Sequence, residues 1–174
     1  MKENLFLVSY DYDLTKRLAR RIAEVFSLRV FDQKELFDFD NMPRTLGDIY
    51  DQQGKEYVLK NFRSILKMEL DFKNAAFVAD ISFADNCYDL FYKIKLFNFV
   101  VFLHKDAETE FFELKSKKFS NKSEAEFFKM DKSILVEREN LIEKDCADIS
   151  VDITGLSDDE IVKKVLEQMN KFYG

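Results

Sequence analysis

The chain contains very little glycine: four residues in 174, namely Gly47, Gly54, Gly155 and Gly174. A phosphate-binding loop needs several glycines within one short turn, because its backbone N–H groups must approach the phosphate closely. None of the four lies near the first predicted strand, and no glycine-rich stretch occurs anywhere in the sequence. The sequence therefore excludes a glycine-rich phosphate cradle.

Catalytic motifs are also missing. Cys87 and Cys146 are far apart and belong to no motif, so we expect buried thiols, with a disulfide as the alternative. His104 is the only histidine, and no Ser-His-Asp, Cys-His or Cys-x-x-Cys arrangement accompanies it. We predict no catalytic residue from these side chains.

The acids show no metal-binding spacing. Asp32, Asp38, Asp40 and Asp48 follow none of the usual patterns, and we interpret them as a solvated acidic rim. The sequence therefore predicts no metal site.

Long apolar runs and blocks of one charge are absent as well. The longest apolar run, near 99–103, is far too short to span a bilayer, and the N-terminus has no signal-peptide pattern. The net charge is −6 with acids and bases interleaved, so a nucleic-acid partner is not expected. We expect a soluble cytoplasmic protein without a membrane partner.

What the chain does have is regular hydrophobic patterning, with 47% apolar residues. The predicted strands are Leu5–Val8, Leu28–Phe31, Ala75–Ala79, Phe99–Leu103 and Ile149–Ile153. The predicted helical segments are the one after Asp13, a turn at Lys34–Phe39, Thr45–Gln53, Lys55–Leu70, Asn86–Lys95, Ala107–Lys118, Ser133–Lys144 and the one after Ser157. This alternation predicts a single domain over residues 1–174, of the three-layer α/β/α class with a mostly parallel sheet.

Several local features refine this prediction. Asp13 is the expected N-cap of the first helix, whose apolar stripe includes Leu14, Leu18 and Ile22. Residues 157–160, SDDE, form a capping box before the last helix. Tyr88, Phe91 and Tyr92 are expected to be partly buried, and residues 116–132 are the most loop-like part of the chain.

Three stretches resemble the shikimate kinase family, and together they span nearly the whole chain. Leu5–Ala23, followed by Leu28–Asp32, is similar to the family's first strand, P-loop helix and second strand. Leu46–Leu66 is similar to its "I-x-x-I-F-x-x-x-G-E-x-x-F-R" helix pair, and Glu137–Gly155 to its "E-R-x-P-L-Y-x-E-x-A-D" segment and following strand. The resemblance implies a P-loop kinase-like fold with strand order 2-3-1-4-5, a lid at about 116–132, and ATP with Mg²⁺ as cofactors.

The family's phosphate-loop motif, "G-x-x-G-x-G-K-[ST]", falls on residues 9–16 without its chemistry. Its three glycines become Ser9, Tyr12 and Leu14, and the phosphate-binding lysine becomes Thr15. The Mg²⁺-binding hydroxyl becomes Lys16. We hypothesise that a carboxylate, Asp11 or more specifically Asp13, caps the helix and fills the phosphate position, with ordinary N-capping as the alternative. Both interpretations predict poor nucleotide binding, so no cofactor is expected.

The substrate positions implied by the resemblance are also altered. Asp32 corresponds to the Mg²⁺-binding acid, while Lys34 stands where an acid would hold the substrate hydroxyl. Leu59 replaces the arginine that binds the substrate carboxylate, and Arg138 corresponds to the arginine after the lid.

These substitutions leave three hypotheses for the function. The first is a degenerate, non-catalytic family member that acts as a binding or interaction module for an unknown protein. The second is a small-molecule kinase of the shikimate type with a remodelled phosphate site. The third is a sensor that binds a small anionic ligand through Lys34 and Arg138, together with Lys16 or Arg17. The alternatives for these side chains are a solvated Lys34 and a structural ion pair at Arg138.

Overall fold

Five parallel strands form the sheet at the centre of the structure, a computed structural model that describes residues 2–173. The strands are β1 (Asn4–Ser9), β2 (Arg29–Asp32), β3 (Ala75–Asp80), β4 (Asn98–His104) and β5 (Ile149–Asp152). They pair in the order β2-β3-β1-β4-β5, and every pairing is parallel. The predicted sheet and strand order are confirmed.

Ten α-helices are present in the part of the chain that the structure describes, and the last of them follows the final strand. They are α1 (Tyr12–Phe26), α2 (Gln33–Asn41), α3 (Leu46–Gln53), α4 (Lys55–Glu69), α5 (Ala84–Cys87), α6 (Phe91–Phe97), α7 (Ala107–Ser116), α8 (Lys122–Phe128), α9 (Lys132–Leu141) and α10 (Asp158–Tyr173). Short 3₁₀ turns cover Ile81–Phe83 and Tyr88–Leu90, and a π-helical turn at Ile142–Cys146 extends α9. None of the described helices is long and apolar enough to cross a membrane.

The core lies on both faces of the sheet, because alternate residues of a strand point to opposite faces. Leu5 and Leu7 of β1 pack with the apolar stripes of α1 and α10. Phe6 and Val8 pack on the other face with residues from α6 and α9. All six residues of β1 are buried, which explains why its sequence is a continuous apolar run rather than an alternating one.

A third apolar cluster lies beside the sheet and includes residues of α2, α3 and α4. Phe127 of α8 is buried in this cluster, and its ring centroid lies 6.0 Å from that of Tyr50. Residues 116–132, predicted as the most loop-like part of the chain, contain the seven-residue helix α8, which the sequence did not predict. Asn121 caps the start of this helix by accepting a hydrogen bond from the backbone N–H of Glu124.

Two further predictions about helices need correction. Residues 86–95 do not form one helix, because the 3₁₀ turn at 88–90 separates α5 from α6. Tyr88 and Tyr92 are 57% and 74% exposed, and only Phe91 packs in the core as predicted. In contrast, the Ser157–Glu160 capping box is present, and both cysteines are free and buried as expected.

Candidate binding cleft

The connection between β1 and α1 is only two residues long, Tyr10 and Asp11. The Tyr10 side chain is buried, and its hydroxyl hydrogen-bonds to Glu113 of α7. Asp11 is the N-cap of α1, and its carboxylate accepts a hydrogen bond from the backbone of Leu14 at 3.1 Å. The unpaired N–H groups and the dipole of a helix N-terminus attract anions, and here the Asp11 carboxylate already occupies that position.

Asp13, the expected cap, is not the cap. It lies within the first turn of α1, its side chain is 73% exposed, and its carboxylate is 3.5 Å from Lys117. The prediction failed because the helix begins earlier than the hydrophobic stripe indicates, and Asp11 is the residue with extended backbone.

Other residues predicted at phosphate-loop positions make contacts within the chain. Ser9 ends β1, and its hydroxyl accepts a hydrogen bond from the backbone of Asp11 at 3.2 Å. Thr15 is fully buried and donates to the carbonyl of Asp11 at 2.7 Å, while Leu14 packs in the core. The Tyr12 hydroxyl accepts a hydrogen bond from the backbone N–H of Lys34 at 2.8 Å and so joins α1 to α2.

A cavity of about 210 Å³ opens beside this connection. It lies between the start of α1, the start of α2 and the segment from Leu114 to Met130. Its charged lining residues are Asp13, Lys16, Asp32, Lys34, Glu35, Asp38, Asp80, Lys117, Lys118 and Glu124. Its aromatic lining residues are Tyr10, Tyr12, Phe119 and Phe128. We call this cavity the cleft.

Asp32 is buried at the inner end of the cleft and caps α2 by accepting a hydrogen bond from the backbone of Glu35 at 2.9 Å. The Lys16 ammonium lies 3.4 Å from its other carboxylate oxygen and also contacts Glu35. Burial raises the pKa of Asp32 to about 6. The interpretation of Asp32 as part of a solvated rim is therefore wrong, since its side chain is almost fully enclosed.

Lys34 does not point into solvent. Its ammonium lies 3.3 Å from Asp38 and 3.2 Å from Glu124, and the Glu124 side chain is only 8% exposed. Burial alone would lower the pKa of Lys34, but these two carboxylates raise it above its usual value. The Lys34 side chain therefore joins α2 to α8.

The structure does not bring all the proposed anion-binding residues together. Arg138 is buried, pairs with Asp85 and contacts the Met130 sulfur at 3.5 Å, but it does not line the cleft. Arg17 pairs with Asp158 on the surface. Leu59 lines a small neighbouring void of about 20 Å³ rather than the cleft.

Asp80, Lys117 and Glu124 line the cleft, although the sequence did not single them out. Burial raises the pKa of the Asp80 carboxyl, while the charges of Arg138 and Lys117 act in the opposite direction. Asp80 ends β3, next to β1, and ligands of open α/β sheets bind where such strands end. The position of Asp80 at the end of a predicted strand could be recognised from the sequence. Glu124 could not be placed in the cleft, because the sequence did not predict α8.

Six carboxylates and four lysines line the cleft, so its formal charge is −2 when all are ionised. Three of the lysines contact carboxylates, and Lys118 is the one without an ion pair among the described residues. The described residues contain no group of three or more side chains arranged to hold a metal ion. His104 lies away from the cleft lining and stacks on Phe102, at 5.3 Å between ring centroids.

Helix α8 is held against α3 by close contacts. The Ser123 hydroxyl donates to Asp51 at 2.6 Å. Gly47 of α3 lies so close to Asn121 that a Cβ atom at this position would be 2.6 Å from Asn121 Nδ2. With the buried Phe127 and the Lys34–Glu124 pair, these contacts attach the 117–131 segment to the rest of the chain.

The chain has the α/β fold of the shikimate kinases. Its structure is similar to shikimate kinase from Aquifex aeolicus, with a TM-score of 0.77, 18% identity and 96% of each chain covered. It is also similar to the Acinetobacter baumannii enzyme in complex with shikimate, with a TM-score of 0.75, 15% identity, and 98% of this chain and 94% of that chain covered. The Bacteroides thetaiotaomicron enzyme gives a TM-score of 0.72 and 14% identity, over 98% of this chain and 99% of that chain.

Comparison of the sequence with known proteins identifies no family. No protein-family model matches the chain, and no curated protein matches it. The structural similarity therefore defines a kinase-like fold, at identities of 14% to 18% for these three enzymes.

Proposed function

We propose that the chain is a degenerate relative of the shikimate kinases that does not transfer phosphate and acts as a binding or interaction module. The observation that carries this proposal is the β1–α1 connection. Its two residues place the Asp11 carboxylate on the N-terminus of α1, where a nucleotide phosphate would have to lie. The residues present do not fit ATP or its Mg²⁺ ion, because the position is negatively charged and Thr15 and Lys16 already contact other groups.

The closed position of the 117–131 segment supports the same proposal. We interpret this segment as the lid of the kinase-like fold. Lids of phosphotransfer enzymes open and close during turnover, whereas this one contributes Phe127 to a buried cluster and the nearly buried Glu124 carboxylate to an ion pair with Lys34. Opening it would expose apolar surface and leave the Glu124 carboxylate without its ammonium partner.

The sensor hypothesis retains one favourable observation. Four lysines line the cleft, and Lys118 is without an ion pair among the residues described. A small anion would have to compete with the acids that already contact Lys16, Lys34 and Lys117, which limits its affinity. The remodelled-kinase hypothesis predicts instead that the chain binds ATP with Mg²⁺ in spite of Asp11.

Calorimetric titration and a coupled turnover assay separate these functions. We expect no heat of binding for ATP or ADP with Mg²⁺, and no turnover with ATP and shikimate. Tight, magnesium-dependent nucleotide binding would contradict the proposal and favour the remodelled kinase. A thermal-shift screen with phosphate, citrate and shikimate tests the sensor, and stabilisation that is lost in Lys118→Ala but not in the distant Lys163→Ala would favour it.

A further inference from the structure

We propose that a groove at the opposite edge of the sheet binds an acidic, amphipathic segment of a partner protein. The groove, with a volume of about 1060 Å³, lies beside the amino-terminal ends of β1 and β4, whereas the cleft lies at the carboxyl ends of β2 and β3. It is formed by residues 2–4, 67–73 and 90–97. The proposal concerns a different surface from the cleft, so it does not depend on whether the cleft binds a ligand.

Large apolar side chains are exposed in this groove. Tyr92, Leu96 and Phe97 are 74%, 52% and 50% exposed, and Phe72 contributes a fourth side chain at 39%. Three of these residues belong to α6, which buries Phe91 and Ile94 in the core on its other face. These four side chains lie together in one groove, whereas exposed apolar residues are usually scattered singly.

The floor of the groove is held in place without a ligand. Asn4 donates a hydrogen bond to the carbonyl of Phe72 at 2.8 Å and accepts one from the backbone of Ala75 at 3.2 Å. Phe72 also stacks on Phe31, with 4.8 Å between ring centroids. A preformed surface of this kind loses little conformational entropy when it binds.

The charges of the groove identify the partner's chemistry. Lys2, Lys67, Lys73 and Lys93 line it against only two acids, Glu3 and Asp71, although the whole chain has a net charge of −6. Lys2 pairs with Asp148 and Lys73 with Glu3, while Lys67 and Lys93 have no ion pair within residues 2–173. The groove is therefore locally positive on a negative protein, and an acidic partner is guided to this surface rather than to others.

The shape of the surface favours a peptide segment over a membrane. A lipid bilayer presents a flat surface, whereas the exposed apolar residues of this groove line a concavity. An amphipathic helix or extended segment places its apolar side chains in such a groove and keeps its acids at the rim, next to Lys67 and Lys93.

Fluorescence anisotropy with a defined probe tests this inference. The probe is a labelled amphipathic peptide of about 16 residues built from Glu, Leu, Phe and Ala, and its control has every Glu replaced by Lys. We expect a Kd of about 10 µM in low salt and at least about tenfold weaker binding in 0.5 M NaCl, because the lysines are exposed. The control peptide is expected not to bind.

Variants of exposed residues locate the binding site. Leu96→Ser with Phe97→Ser, and separately Lys67→Glu with Lys93→Glu, should each weaken binding about tenfold or more. Phe112→Ser and Lys60→Glu, which change exposed residues outside the groove, should leave it unchanged. The charge-reversal pair alters no buried group, so it keeps the test valid if the apolar double variant fails to fold.

Three results would overturn the inference. The first is that the acidic probe does not bind, or binds all variants equally. The second is self-association in analytical ultracentrifugation that is lost in the Leu96→Ser, Phe97→Ser variant, which would assign the groove to a second copy of the chain. The third is stronger binding to phosphatidylserine vesicles than to the peptide, which would assign it to a membrane surface.

Discussion

The Lys34 ammonium lies 3.2 Å from the Glu124 carboxylate, so the first turn of α2 is tied to α8 across the cleft. The sequence predicted a substrate-contacting position at Lys34, whereas in the structure its partners are two of the protein's own acids. When one partner of an ion pair is nearly buried, removing the other partner destabilises the fold mainly because an uncompensated charge stays buried.

We therefore expect Lys34→Met to destabilise the fold by about 1 to 3 kcal/mol, because the Glu124 charge loses its partner while remaining enclosed. Glu124→Gln in the same background should recover part of the loss. Urea unfolding measures both effects, and hydrogen exchange of residues 122–128 should be faster in Lys34→Met. Lys129→Met is the matched control, since its pair with Glu126 lies in the same segment and is exposed. Equal effects of the two lysine substitutions would contradict a specific role for Lys34.

Asp11 and Asp13 should differ clearly in their contributions to stability. Asp11→Ala removes the side chain that caps α1, so it should cost about 1 kcal/mol, while Asp11→Asn should be nearly neutral. Asp13→Ala removes only an exposed acid and should cost no more than about 0.5 kcal/mol. Thermal unfolding of the three variants measures the difference. If Asp13→Ala were the more damaging change, the assignment of the cap would be wrong.

Gly47→Ala should be destabilising by about 1 to 2 kcal/mol, although alanine is the better helix former by about 1 kcal/mol. The added Cβ would meet Asn121, and the asparagine cannot move without breaking its hydrogen bond to the start of α8. A double-mutant cycle with Asn121→Ala tests this explanation. The glycine substitution should become neutral or stabilising in the Asn121→Ala background, and simple additivity of the two effects would exclude the contact as the cause.

Glu69 should make stability depend on pH. Its side chain is enclosed beside Asp32 and accepts a hydrogen bond from Gln33 at 2.7 Å, and burial raises its pKa to about 8. Between pH 4.5, the ordinary pKa of this carboxyl, and about pH 8, Glu69 holds a proton in the folded state that it has released in the unfolded state. Stability therefore falls as pH rises through this interval.

The isosteric variant Glu69→Gln provides the measurement for this effect. It should flatten the pH dependence of the free energy of unfolding between pH 5 and pH 8, an interval over which this dependence amounts to about 4 kcal/mol at most. Glu56→Gln, an exposed change on the same helix, should leave the slope unaltered. A slope unchanged by Glu69→Gln would assign the pH dependence to other groups, such as Asp32.

The sequence predicted the framework of the fold because its main signals are local. The apolar run of β1 and the capping box at Ser157 identify their elements without information from the rest of the chain. The strand order came from the resemblance to a family and agrees with the structure.

The cleft was predicted less well, since its contacts join residues distant in sequence. Asp32 and Lys34 were recognised as site residues, but the burial of Asp32 and the pairing of Lys34 depend on Lys16 and α8. Helix α8 is short and polar, and much of its stability comes from packing Phe127 into a cluster formed by α2, α3 and α4. Such tertiary stabilisation leaves no periodic pattern in the sequence.

The short β1–α1 connection has a consequence for building a phosphate-binding loop into this chain. The positions aligned with the phosphate loop, from Tyr12 onward, already belong to the first turn of α1. Introducing glycines at these positions one at a time would weaken the helix, because glycine in a helix is less favourable than alanine by about 1 kcal/mol. Each single substitution towards a glycine-rich loop therefore carries a cost in stability. The obstacle to such a loop is conformational as well as chemical.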